Sequence, residues 1–415
     1  LRKRVAQFYE NELGNKEESL RYWQELLMEW PENYDALDAI TRIGGELGDE
    51  LAVSSAFERL ASLQEDRSTR IEYLRAAASL IENREEKHSD ATTLYRKILN
   101  EEPDDIHALE KLDDLLVSLE QHDELKLIIH RRLEFANTVS EQGVLKSRYG
   151  RLCVEKLGLH TEGVDHLKSV VDWRHLDGLE AAADVSSRSL FGLMTAVEQD
   201  NLGLSVECAN IVEPYWTEKE DFEKVIRCKV VRANAEESDA KAALLKECAL
   251  IFEDKLDEPG QAFDLLAKYL DERLHDDTWV DELQRISSLL HRDNELAGAL
   301  KEALLSDDTH QTFEEQWLRL AQVYEESLKE LTDAAFCYEK VRQTREFDEL
   351  VLESLIRVYT ATGSLRELVS VYRSVLAIPD QTTERKIEVW EQVTEILEVK
   401  LKSIQGLYLP HSMDH

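Results

Sequence analysis

His411 and His415 stand four residues apart, a spacing that puts two imidazoles on one helical face where they could share a metal ion. Two ligands fall short of the three or four a protein zinc site supplies, so no metal site is expected there. Carboxylates pair along the whole chain, as in Glu10 with Glu12, Glu85 with Glu86 and Glu325 with Glu326. Acid–base catalysis needs such a pair in a pocket that drives the two pKa values apart, and runs on a hydrophilic helix face do not supply one. The five cysteines, Cys153, Cys208, Cys228, Cys248 and Cys337, lie far apart and form no Cys-x-x-Cys pair. Neither a disulfide framework nor a zinc site follows, and buried free thiols in a reducing, cytoplasm-like compartment are expected. His160 and His166 flank a turn and are expected at the solvent. No Gly-rich phosphate loop, HExxH, Gly-x-Ser-x-Gly or EF-hand loop occurs, and Gly44-Gly45 fits close helix packing better than a phosphate cradle. The expectation is a chain that is not an enzyme and takes no cofactor.

The elements that would position any site are helices. Of 415 residues, 43% are hydrophobic and 33% charged, too much apolar material for a disordered chain. Only 15 Gly and 6 Pro are present, too few for the turns of many short strands. Eighty-six acidic against 50 basic residues leave a net charge of −36. That field repels phosphate backbones, so neither nucleic acid nor an anionic membrane is an expected partner. It keeps an extended surface soluble and is compatible with basic protein partners. No apolar run approaches the length of a membrane span.

The chain matches itself. Val5-Ala6-Gln7-Phe8-Tyr9 places a small residue three before an aromatic anchor, with Leu13 four after it. The figure returns at Ala78/Ile81, Gly150/Cys153, Ala249/Phe252, Ala321/Tyr324 and Thr394/Leu397, so the anchors are 9, 81, 153, 252, 324 and 397. Their separations are 72, 72, 99, 72 and 73. Ten and 14 residues past each anchor come a small and a large residue, as in Ser19 and Trp23, Ala91 and Tyr95, Gly163 and Leu167, Ala262 and Leu266, Ala334 and Tyr338. That spacing puts both on one helical face, the small one admitting a neighbouring helix. Pro31 and Pro103 close these second helices, and a further apolar pair opens the next one: Ala36-Leu37, Ala108-Leu109, Trp279-Val280 and Val351-Leu352. One period therefore holds two helical hairpins.

A period near twice ~34 residues, with a small residue, an aromatic, then Ala-x-x-x-aromatic and Pro, resembles the tetratricopeptide family. The likeness is clearest in Ala6-x-x-Tyr9…Ser19-x-x-x-Trp23…Pro31 and Ala78-x-x-Ile81…Ala91-x-x-x-Tyr95…Pro103, and it covers residues 1–165 and 206–402. The usual Leu-Gly of the first helix is here Val5-Ala6 or Leu320-Ala321, and the turn after the anchor carries one extra residue. The fold class expected is all-α, an α-solenoid superhelix of stacked antiparallel hairpins. The 99-residue interval carries 27 residues beyond the period, expected within Trp173 to Val206, where Ser189 to Val197 reads as an added apolar helix. The expected organisation is an N-terminal sub-array at 1–172, the inserted helix at 173–205, a C-terminal sub-array at 206–402 and an off-pattern tail at 403–415. The chain opens in mid-helix without Met and is expected to be a fragment.

The resemblance implies that first helices line a concave groove in which peptides bind. Six residues before each anchor stand Lys3, Arg75, Ser147, Lys246, Leu318 and Glu391, a partly basic stripe that could read acidic groups of a partner. Four residues further on come Gln7, Ser79, Arg151, Leu250, Gln322 and Glu395. Some tetratricopeptide proteins hold a terminal carboxylate with basic residues and Asn, and no Asn stands here. The competing reading is that the basic residues pair with acidic neighbours on a solvated face. Partner contact is expected at Lys3, Gln7, Arg75, Ser79, Lys246 and Gln322. The function expected is a scaffold or adaptor for protein or peptide partners, the alternative being a non-catalytic regulatory or assembly part of a larger enzyme or regulator. Incomplete end repeats allow self-association.

Overall fold

The computed structural model describes residues 1–306, 313–378 and 383–408, with side chains from Leu397 onward described only at Glu398. Among these residues the chain is helical without a strand. It forms two compact units, Leu1–Asp221 and Phe222–His415. The first unit contains α1 (Arg2–Asn11), α2 (Lys16–Glu29), α3 (Tyr34–Leu47), α4 (Glu50–Leu63), α5 (Arg67–Ile81), α6 (His88–Glu101), α7 (Ile106–Ser118), α8 (His122–Phe135), α9 (Val139–Leu152), α10 (His160–Asp172), α11 (Glu180–Val197) and α12 (Leu202–Glu218). The second contains α13 (Phe222–Ala235), α14 (Ser238–Asp254), α15 (Pro259–Lys268), α16 (Asp277–Leu290), α17 (Asp293–Ser306), α18 (Glu314–Gln322), α19 (Leu331–Arg342), α20 (Glu349–Thr362), α21 (Leu365–Ala377) and α22 (Thr383–Tyr408). Within each unit every helix packs on the one before it. This is the all-α array of hairpins that the repeat implies.

Burial follows the period. The small residues three before and ten after the anchor, Ala6 with Ser19, Ala78 with Ala91, Gly150 with Gly163, Ala249 with Ala262 and Ala321 with Ala334, are all buried. They are where first and second helices touch: the Ser19 hydroxyl donates to the Ala6 carbonyl at 2.9 Å. At α9 and α10 there is no room for a methyl group, since a Cβ on Gly163 would stand 2.8 Å from the Gly150 carbonyl oxygen. The apolar pairs of the third helices, Ala36-Leu37, Ala108-Leu109, Trp279-Val280 and Val351-Leu352, are at most 1% exposed. The second helices α2 and α6 end two residues short of Pro31 and Pro103, because the residue before a proline is steered out of the helical region.

The extra residue after the anchor has a structural use in four periods; after Ile81 a 3-10 turn, Glu85–Lys87, takes its place. Asn15, Leu159, Glu258 and Glu330 donate their backbone N–H to the carbonyls of Tyr9, Cys153, Phe252 and Tyr324, six residues back, at 2.8–2.9 Å. This wide turn puts the residue five past the anchor in the left-handed region: Gly14 at φ +63°, Gly158 at +67°, Asp257 at +55° and Lys329 at +60°. The last turn widens to a π-helix at Cys153–Leu157 and Val323–Leu328.

The long interval holds five helices where the other complete intervals hold four. In register, α12 repeats α7, with Cys208, Ala209, Val212, Tyr215 and Trp216 buried at the places of Ala108, Leu109, Leu112, Leu115 and Leu116. The loops that follow, Leu119-Glu120-Gln121 and Lys219-Glu220-Asp221, share a left-handed middle residue. Helix α11 lies between Trp173 and Val206 and has no counterpart in this register. The compact units divide later than the expected sub-arrays, at Asp221, because α12 packs with α10 and α11 in the first unit. At the far end α22 continues to Tyr408, through the first residues of the segment expected as a tail; His411 and His415 lie outside the described residues. Among the described residues no helix is long and apolar enough to cross a membrane.

One buried charge stands out. The Asp113 side chain on α7 is fully buried and accepts hydrogen bonds from Arg132 of α8 and from both Nη atoms of Arg148 of α9, the latter at 2.7 and 2.8 Å. Removing one side of a buried ion pair strands the other, so Asp113→Asn is expected to cost about 3 kcal/mol. A urea titration followed by circular dichroism checks this. The wide turns give a second test: Gly158→Ala should destabilise by about 1 kcal/mol and Lys329→Gly should stabilise by a similar amount, because a Cβ is penalised only by the left-handed backbone there. Equal melting midpoints for both variants and the parent would refute it.

Candidate functional site

The basic stripe is drawn into the array itself. Lys3 pairs with Asp35, Arg75 Nη2 lies 2.6 Å from Asp105, and Lys246 Nζ lies 3.1 Å from Asp276 and 2.6 Å from the Thr278 hydroxyl. Asp105 and Asp276 also accept from backbone N–H groups at the starts of α7 and α16, so each closes a helix end and holds a cation at once. The partners stand some thirty residues away on the third helix, not one turn along the same helix. Ser147, the third member, is buried and donates to the Ala182 carbonyl of α11, while Ser186 donates to it.

The next position behaves differently. Gln7, Ser79, Arg151, Leu250, Gln322 and Glu395, two before each anchor, are all exposed. Ser79 donates only within its own helix, to the Ala76 carbonyl. Position by position this row offers amides, a hydroxyl, a guanidinium, an isobutyl group and a carboxylate.

A ladder of ion pairs went unread in the sequence. The glutamate one past the anchor pairs with a base on the third helix: Glu10 with Arg42 at 2.5 Å, Glu82 with Lys111 at 2.8 Å, Glu253 with Arg285 at 2.6 Å and Glu325 with Arg357 at 2.5 Å. Three of the bases stand 33 residues past their anchors, a regularity that aligning whole periods would have exposed. The Arg357 hydrogen bond holds the Glu325 carboxyl below its ordinary range, opposed by partial burial. Tyr95 and Tyr338 donate to Glu82 and Glu325, and burial, then that carboxylate, pushes the Tyr338 phenol up to about 12. Trp23, at the equivalent place, has a buried Nε1 without a hydrogen-bond partner.

A concavity lies in the first unit between the end of α9 and the outer face of α11. It measures about 710 Å³ and its walls include Val154, Val185, Leu193, Ala196 and Val197. Arg151, Glu155, His160 and Arg188 stand at its polar positions. Arg151 Nε binds Glu155 at 3.2 Å, Ser189 donates to the same carboxylate at 2.8 Å, and Arg188 Nη2 lies 2.8 Å from Asp184. These bonds, working against burial, leave the Glu155 carboxyl below its ordinary range.

The two histidines are less open than their turn suggests. His160 and His166 are both partly buried, and the His166 ring packs 4.5 Å from the Tyr149 ring at 52°. All five cysteines are buried and none is in a disulfide. Among the described residues no group of three or more His, Cys, Asp or Glu side chains is placed to hold a metal.

No family model matches the chain, and no match is found among curated proteins. Among solved structures the chain is similar to that of Naa15/Naa10 bound to HypK-THB, with 13% identity, a TM-score of 0.29 and coverage of 99% of this chain and 68% of that one. It is also similar to the P58(IPK) TPR domain (10% identity, TM-score 0.24, 80% and 99% covered) and to yeast Tom70 (12%, 0.25, 97% and 96%). At such scores these likenesses decide nothing about this chain; its architecture rests on its own helix order and burial.

His166 supplies a pH test. Burial foremost, then the Lys146 charge, depresses its pKa below the ordinary value, against Glu162 and Asp165 and with His130 also facing it. The unfolded chain then binds the proton more tightly than the folded one, so stability is full above about pH 6.5 and falls as pH drops through the folded pKa. His166→Phe, which keeps a ring against Tyr149, is expected to lose less stability between pH 7.5 and 5 than the parent. Parallel thermal melts with identical pH dependence would disprove it.

Proposed function

We propose that this chain is an interaction scaffold that holds partner proteins or peptides on the outward faces of its first helices. One observation supports the reading above the others. The residue two before the anchor is exposed in all six periods and differs in chemistry, while the residue just before it, small in every period, is buried in five. Positions that build the array and positions free to recognise a partner thus alternate along the same helix.

Recognition assigned to Gln7, Ser79 and Gln322 fits this division, since these side chains are exposed and bear none of the packing. Lys3, Arg75 and Lys246 contribute through their ion pairs, by fixing the third helix against the first. We read residues 173–205 as an insertion, the register of α12 being the support, and the −36 charge as turning phosphate backbones away. The chain in this reading catalyses nothing itself.

The test is a stoichiometric complex isolated with the intact chain and mapped by hydrogen exchange. Protection should fall on first helices, and the triple change Gln7→Glu, Ser79→Arg, Gln322→Glu should weaken binding about tenfold while stability stays within about 0.5 kcal/mol. Protection confined to second and fourth helices, with full binding by the triple variant, would falsify the proposal.

A further inference from the structure

The groove between α9 and α11 has a shape and a lining that the scaffold reading does not require. On α11 the residues facing it are 185, 188, 189, 192, 193, 196 and 197. Their spacing of three and four marks one continuous helical stripe, the pattern a helix normally turns toward a core. The neighbouring stripe of α11, Ala182, Ala183, Ser186, Ser187, Leu190 and Met194, is already buried, and so is Leu193 at the groove's floor, which leaves Val185, Gly192 and Ala196 as its exposed apolar positions. An inserted helix with apolar residues on both sides has one side still uncovered.

We infer that this uncovered side is the seat of a single amphipathic helix from a partner protein, one whose apolar face is flanked by carboxylates. The inference rests on the scaffold reading and names the partner's chemistry. Size supports it. The stripe from Val185 to Val197 runs about 18 Å, and a helix of about 10 Å diameter sunk to half its depth over that length displaces about 700 Å³. The groove is open to solvent and of the same order, about 710 Å³. Its floor admits a close neighbour: Gly192 has no heavy atom within 4 Å of where a Cβ would stand, and Ala196 follows one turn later. Helices approach closely over such small residues.

Charge decides the flanks. In a chain of net charge −36, this groove is lined by two arginines against one glutamate. Three other clefts are lined the opposite way, with Glu58 and Asp90 against Lys87, with Glu391, Glu395 and Glu398 alone, and with Glu10, Asp35 and Asp38 against Arg42. Arg188 is 68% exposed and engages Asp184 through one Nη, so donors of its planar fork remain to face a carboxylate. The His160 ring closes the groove's end.

The test uses the intact chain and capped, fluorescein-labelled helical peptides of about 18 residues, long enough to hold a helix. A panel carries Leu at three alternative i, i+3, i+4, i+7 registers, each flanked by Glu in one set and by Lys in another. Anisotropy is read at about 0.15 M salt, where only contact-range charge survives. At least one Glu-flanked peptide should bind, about tenfold tighter than its Lys-flanked twin, and Arg188→Glu should reverse that order. Gly192→Leu should abolish binding while raising the melting midpoint, because leucine favours a helix and no heavy atom stands within 4 Å of its Cβ. Absence of binding by the whole Glu-flanked set overturns the inference, as does binding indifferent to Gly192→Leu. Light scattering that shows dimers broken by Gly192→Leu would instead assign the groove to a second copy and overturn it. If the groove fails while hydrogen exchange still places a partner on the exposed first-helix row, the scaffold reading stands without it.

Discussion

The first and second helices of each period meet through two side chains that hardly exist. Ala6 faces Ser19, Ala78 faces Ala91, and Gly150 faces Gly163 with no room for a methyl group. Two backbones brought this close exclude water between them and fix how each hairpin crosses. From that crossing follows where the large residue four further on points, and so where Trp23, Tyr95, Leu167, Leu266 and Tyr338 form the floor for the next hairpin. A larger residue at any of these pairs would move the neighbouring hairpins with it, since a repeat touches only its neighbours.

Charge then fastens what packing aligns. The Glu that follows the anchor and the cation six before it both reach the third helix of the same period, one pair to a base and one to an acid. Most of these pairs are partly exposed, so each is worth a fraction of a kcal/mol. Their value is geometric, because a pair made between first and third helices holds two successive hairpins at one spacing. Asp113 differs. Its carboxylate is fully buried and shared by three helices, which makes that joint intolerant of change.

The sequence revealed the anchors because burial imposes residue size at fixed positions, and size survives as a visible period. Ala36-Leu37, Ala108-Leu109 and their kin were found that way, as was the extra residue after the anchor, whose use is the wide left-handed turn. The ion pairs were hidden because their partners lie about thirty residues apart, beyond the range of reasoning along one helix. Lys3, Arg75 and Lys246 do meet acids, as the competing reading has it, but those acids come from the third helix and not from one turn along their own. The groove beside α11 was legible only as an apolar stretch, Ser189 to Val197, since a stripe does not say whether a neighbour covers it. His166 misled because a turn in sequence says nothing about which ring, here that of Tyr149, comes to lie over it.

The joints between first and third helices also shape the molecule's outer field. Every lysine or arginine clasped to a neighbouring helix is withdrawn from the solvent-facing tally, and the acids left over have only dissolved ions to answer them. In solution such an excess of anions gathers a cloud of sodium or potassium, and a polycation arriving would release it, gaining entropy before a single side chain touches. Dilute salt therefore widens the distance from which basic bodies are drawn in, and concentrated salt shrinks it to a few ångströms.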